Sequence, residues 1–169
     1  MSDASSWLAL EQLAVRINTL ALETIAHEGE HAAMYFLRQP SGEVSPRLFE
    51  AVISPVGDAR AAEMAAAVSG SLSDAVVFVS EAWSASRESV PYGEHVRDSD
   101  SATDVLLVVA LDRSGNQVVL ETELRAGRSG VEALDTVRHG PEYVVRTLDQ
   151  FALRGDSRAG SAAGTAGAL

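Results

Sequence analysis

The sequence predicts an α+β domain: a mainly antiparallel sheet of five strands packed with three helices, in the order α-β-β-α-β-β-β-α. Three observations predict it. Apolar residues near the N-terminus recur at steps of three and four, the spacing of one helix face. Five short stretches between residues 32 and 125 are rich in β-branched and aromatic residues and bounded by turn formers. Short links between consecutive strands favour antiparallel pairing.

The first helix runs from Trp7 to about Glu28, with Leu10, Leu13, Ile17, Leu20 and Thr24 on its buried face. Ser5 or Ser6 is the expected N-cap, and Glu11 lies early, where the helix dipole favours it. Ala32–Arg38 reads as a strand, ended by the turn Gln39-Pro40-Ser41-Gly42. Leu48–Ser54 reads as a short edge strand between Pro46 and Pro55. Asp58 caps an alanine-rich helix over Ala59–Val68, closed by Gly70.

Ala75–Trp83 is a continuous apolar strand. Ser84–Thr103 is a long polar stretch, and connections of that length are usually functional or mobile. Val105–Leu111 and Val118–Arg125 are strands joined by a hairpin turn over residues 112–116. After Gly127-Arg128-Ser129-Gly130 breaks the pattern, Pro141 opens a last helix to Leu153 that buries Val144, Val145, Leu148 and Phe151. Residues 1–154 thus form one domain. The Gly/Ala/Ser segment 155–169 has too little apolar surface to offset ordering and is expected to be a disordered tail.

The chain has 24 acidic and 13 basic residues, every basic one an arginine, for a net charge of −11. That field repels phosphate, so direct nucleic-acid binding is not expected. No apolar run reaches the ~18–20 residues a membrane helix needs, and the N-terminus lacks a basic region followed by an apolar one. Without cysteine there are no disulfides, thiolate metal sites or cysteine nucleophiles. A cytoplasmic protein, with the composition of a GC-rich bacterial genome, is the expectation. Without lysine there is no Walker lysine and no Schiff-base chemistry, and neither G-x-G-x-x-G nor G-x-S-x-G occurs.

One motif carries possible chemistry. His27-Glu28-Gly29-Glu30-His31 matches H-E-x-x-H, and on a helix two histidines four apart face the same way. These five residues resemble the zincin metalloproteases. The resemblance implies His27 and His31 as zinc ligands and Glu28 as general base; a third ligand would be needed, for which Glu63 and His95 are the candidates. Gly29 points elsewhere: glycine is a poor interior helix residue and the preferred left-handed helix terminator, so the residue itself predicts that the helix ends between the histidines.

Further candidates are Glu81, a carboxylate in an otherwise apolar strand, and Glu121 with Glu123, two carboxylates on one strand face that suit a hard cation. Tyr92, His95, Arg97 and Asp98 make the long polar stretch a candidate binding loop. Trp7 and Trp83 are expected to be packing residues. The order of elements resembles the profilin, Roadblock and PAS architectures in topology. The segment Phe78-Val79-Ser80-Glu81-Ala82-Trp83 is similar to a group of uncharacterised bacterial and phage proteins, which implies no activity. The leading expectation is a non-catalytic protein-binding or regulatory domain without cofactor, joined to a second copy or to a protein partner through open sheet edges. The alternatives are a zinc-dependent hydrolase acting through His27, Glu28 and His31, and an acidic mimic of nucleic acid.

Overall fold

A computed structural model of the chain describes residues 4–48, 73–90 and 98–140. They form α1 (Ala4–Glu28), β1 (Met34–Arg38), β2 (Val44–Leu48), β3 (Ala75–Ser84), a 3-10 turn at Arg87–Ser89, β4 (Thr103–Asp112), β5 (Gln117–Gly127) and β6 (Gly130–His139). The six strands make one open sheet in the order β2-β1-β3-β4-β5-β6, and every neighbouring pair is antiparallel. The architecture is α+β, with six strands where the sequence predicts five. The predicted helices at 59–68 and 141–153 and the tail at 155–169 lie outside the described residues.

β3 and β4 are unbroken apolar runs over Ala75–Val79 and Val105–Leu111 because both faces of the sheet are buried there. On one face α1 lays Leu10, Leu13, Ala14, Ile17, Ala21 and Ile25 over a floor that includes Val77, Val79, Leu106, Val108 and Val118. The opposite face carries a second buried cluster with Val76, Phe78, Val109 and Val119. Burying each Leu, Ile, Val or Phe side chain among these contributes about 1.5–3 kcal/mol. The helix face turns one residue from the predicted one. Stepping from Ile17, Ala21 and Ile25 take the buried positions, while Leu20 is 48% exposed. Ser5 and Ser6 also lie inside the helix, which starts at Ala4. Instead of capping it, Ser6 donates to Asp112 Oδ2 at 2.9 Å and ties α1 to the β4–β5 turn.

Asp112 is 4% exposed and organises that turn. Its carboxylate accepts the Asn116 main-chain N–H at 2.9 Å and the Asn116 side-chain amide at 2.7 Å, and Gly115 supplies the left-handed backbone at φ +81°. At the other end of α1, Gly29 has φ +84° and donates its N–H to Ile25 O at 2.8 Å. This is the glycine-terminated helix end that the residue predicts. A Cβ on Gly29 meets nothing within 4 Å, so only the backbone opposes substitution. Gly29→Ala is therefore expected to cost about 1 kcal/mol, seen as a lower urea midpoint with an unchanged slope.

Two strands depart from the sequence reading. β2 covers Val44–Leu48 instead of starting at Leu48, and residues 49–54 are outside the described set. Pro46 therefore sits within the strand, opposite Phe36. Proline lacks a ladder donor and is tolerated because β2 is an edge strand among the described residues. β6 has no counterpart in the predicted order. It pairs with β5 through a two-residue turn, Arg128-Ser129, flanked by Gly127 and Gly130. Between the pairs Thr122–Thr136 and Leu124–Ala133, both Leu134 and Asp135 stand opposite Glu123, which makes a β-bulge. Among the described residues no helix is long and apolar enough to cross a membrane.

Candidate functional site

The H-E-x-x-H residues straddle the end of α1. His27 and Glu28 are exposed in its last turn, the chain turns at Gly29, and His31 lies beyond it. The face-sharing that i, i+4 spacing provides exists only within a helix, so these histidines do not project from one helical face. His31 is instead held through its main chain, whose N–H donates to Glu81 Oε1 at 2.5 Å. Glu81 is exposed and thus acts here as an anchor for the chain leaving the helix. Among the described residues no group of three or more His, Asp or Glu side chains is placed to hold a metal ion.

The remaining candidates that the structure describes do not come together. Glu63, Tyr92, His95 and Arg97 lie outside the described residues, and Asp98 is exposed. Glu121 and Glu123 do not act as a pair. Glu123 accepts Arg125 Nε at 2.8 Å, whereas Glu121 lies 3.4 Å from His139 Nε2. Trp7 packs against the core beneath the Arg138 guanidinium, 4.4 Å from its ring centre. Trp83 is 55% exposed, against the packing expectation. It stands on β3 two residues past Glu81, where the strand has run beyond the end of α1. Exposed carboxylates are dispersed over α1, the β1–β2 turn, β4 and β6, as Glu23, Glu43, Asp104 and Glu132 illustrate.

Among the described residues a groove lies where α1 passes β6. Leu8, Val15 and Leu22 are seven residues apart, so they follow one stripe along the helix, beside the stripe that enters the core. Val15 and Leu22 form one wall of a groove of about 400 Å³, and Leu120, Thr136 and Arg138 form the floor and far wall. Arg138 Nη1 donates to Glu11 Oε1 at 2.7 Å across its end, so the two charges neutralise each other. Thr122, 0% exposed on β5, shares a hydrogen bond of 2.7 Å with Thr136 on β6. Asn18 Nδ2 donates to that Thr136 hydroxyl at 3.2 Å. Asn18 itself is 6% exposed, and its Oδ1 is buried with no hydrogen-bond partner. Leaving such an acceptor unpaired costs about 1–3 kcal/mol, so the position is conspicuous in an otherwise satisfied helix–sheet interface.

Nothing in the leading sequence candidates pointed to this groove. Its signal was the second apolar stripe at seven-residue spacing, interrupted by Asn18. No protein-family model, curated protein or solved structure matches the chain.

Proposed function

We propose that this chain is a non-catalytic protein-binding domain that receives its partner on the flank formed by α1 and β6. One observation carries the reading: large apolar side chains stay in water around this flank. Leu8 and Val15, on one stripe of α1, are 50% and 49% exposed, and Val15 borders the groove against β6. Apolar surface gathered in one region, beside a groove, is the mark of a docking face. The charge of −11 favours a partner carrying positive charge, which steers encounter and sets specificity. It also opposes association with a second, equally acidic copy.

Photo-crosslinking tests the reading. A benzoylphenylalanine at Val15 is expected to capture one partner, whereas the same group at Leu20, on the other flank of α1, captures none. The complex is then rebuilt from the two purified proteins. The double change Leu8→Asp and Val15→Asp is expected to weaken it at least tenfold while shifting stability by only about 0.5 kcal/mol per exposed site. Raising salt is expected to weaken the complex further. Equal capture from Leu20, or full affinity of the double variant, overturns the docking face.

A further inference from the structure

We propose that Trp83 and Asp104 form a seat for an arginine side chain presented by a protein partner, with the guanidinium flat on the indole and paired to the carboxylate. The site goes beyond the docking face on α1 and stands without it. In the register of β3 and β4, Trp83 and Asp104 are direct partners. Directly opposed residues share a sheet face, with Cβ atoms about 5 Å apart. That face is the one α1 covers, since Val79 and Leu106, an even number of residues away on the same two strands, pack under the helix. The strands run on past the end of α1, so Trp83 is 55% exposed and Asp104 is exposed beside it. Among the described residues no cation lies over Trp83, and the Asp104 carboxylate has no hydrogen bond or ion pair.

The chain already contains a filled version of this arrangement. Arg138 lies over Trp7, 4.4 Å from the ring centre, and pairs with Glu11 at 2.7 Å. There one guanidinium satisfies an indole and a carboxylate together; at Trp83 and Asp104 the same two groups meet water without one. Arginine fits better than lysine, because its planar, weakly hydrated head stacks on an aromatic face and still presents edge N–H groups to a carboxylate. Glu81, two residues back on the same face, is exposed too and uses one oxygen on the His31 N–H, so its charge adds to the attraction. The net charge of −11 draws cations towards the whole surface, and the indole singles out this place. Two exposed side chains on a sheet face touch a ligand from one side. A free small molecule finds little to hold there, whereas an arginine on a protein gains further contacts from its neighbours.

The probe is acetyl-glycyl-arginyl-glycinamide, titrated into the full ¹⁵N-labelled chain while the two indole N–H signals are followed. The Trp83 signal is expected to shift with a dissociation constant on the order of 10 mM, while that of Trp7, whose ring is occupied, stays in place. The citrulline peptide keeps the shape and loses the charge, and is expected to bind at least about fivefold more weakly. The lysine peptide is expected to bind about threefold more weakly. Free arginine, which brings a carboxylate to an acidic surface, is expected to bind more weakly than the arginine peptide. Trp83→Leu and Asp104→Asn, both at exposed positions, should each weaken the arginine peptide about two- to fivefold, read from main-chain shifts of Ala82 and Thr103. No shift of Trp83 up to the solubility limit overturns the proposal, as does equal binding of the arginine peptide and either the citrulline or the lysine peptide. Tighter binding of free arginine overturns it too, by making this a small-molecule site. All these outcomes are read on the unaltered chain. The Val15 crosslink is made on a different element, so its failure removes the docking face alone, and failure of the peptide removes this seat alone.

Discussion

Leu106→Ala is expected to lower the free energy of unfolding by about 2–5 kcal/mol, with a fall in Tm on the order of 10 °C. Leu106 is 0% exposed at the centre of β4, under α1 and between β3 and β5. Its neighbours on the helix-facing side, Val108 and Ala110, are also 0% exposed. Strands hydrogen-bonded on both sides cannot close in on the space that three lost carbons leave, so the cavity term adds to the transfer term. Val137→Ala removes apolar atoms from a side chain that is 52% exposed, and is expected to change stability by no more than about 0.5 kcal/mol. Urea unfolding of the two variants checks both values. Equal losses would mean that the helix does not seal this face of the sheet.

Asp112→Ala is the second large effect, at about 2–3 kcal/mol, through polar groups instead of packing. The carboxylate is 4% exposed and accepts three hydrogen bonds, from the main chain and side chain of Asn116 and from Ser6. Bonds to an ionised acceptor are among the stronger ones, and truncation leaves the Asn116 main-chain donor without its partner. Because Ser6 reaches the turn through Asp112, the two positions should not add. Ser6→Ala alone is expected to cost about 0.5–1.5 kcal/mol, and much less when Asp112 is already alanine. A double-mutant cycle in urea measures this coupling. Full additivity would show that the first turn of α1 is held by something other than the β4–β5 turn.

What could be read from the residues depended on how many faces of an element are buried. β3, β4 and β5 were legible because burial leaves continuous or alternating apolar runs, such as Val76 to Val79 and Val105 to Leu111. β6 was not, because most of its residues are exposed and the bulge at Leu134 and Asp135 breaks the alternation that marks a strand. With Glu132, Ala133 and Leu134 in sequence, nothing local favours an extended chain. The start of β2 was placed four residues late because Pro46 was read as a boundary, although a strand at the margin of the described sheet accommodates it. The helix was legible to within one residue of rotation, which is enough to put Leu20 outside and Ala21 inside. The groove was the hardest feature to foresee. Asn18 looks like an ordinary polar residue until β6 passes over it, and β6 was the strand that left no pattern.

Among the described residues the two outer strands of the sheet carry different obstacles to growth. Proline in β2 withholds one rung, and the bulge in β6 bends its ladder out of line. Runaway stacking into fibres requires flat, unbroken margins that each newly added molecule can copy. A chain bounded in this way can hold a single visitor on one flank at high concentration without turning that visit into polymerisation. Straightening the bulge by deleting Asp135, or replacing Pro46 with valine, removes that protection and leaves the core intact.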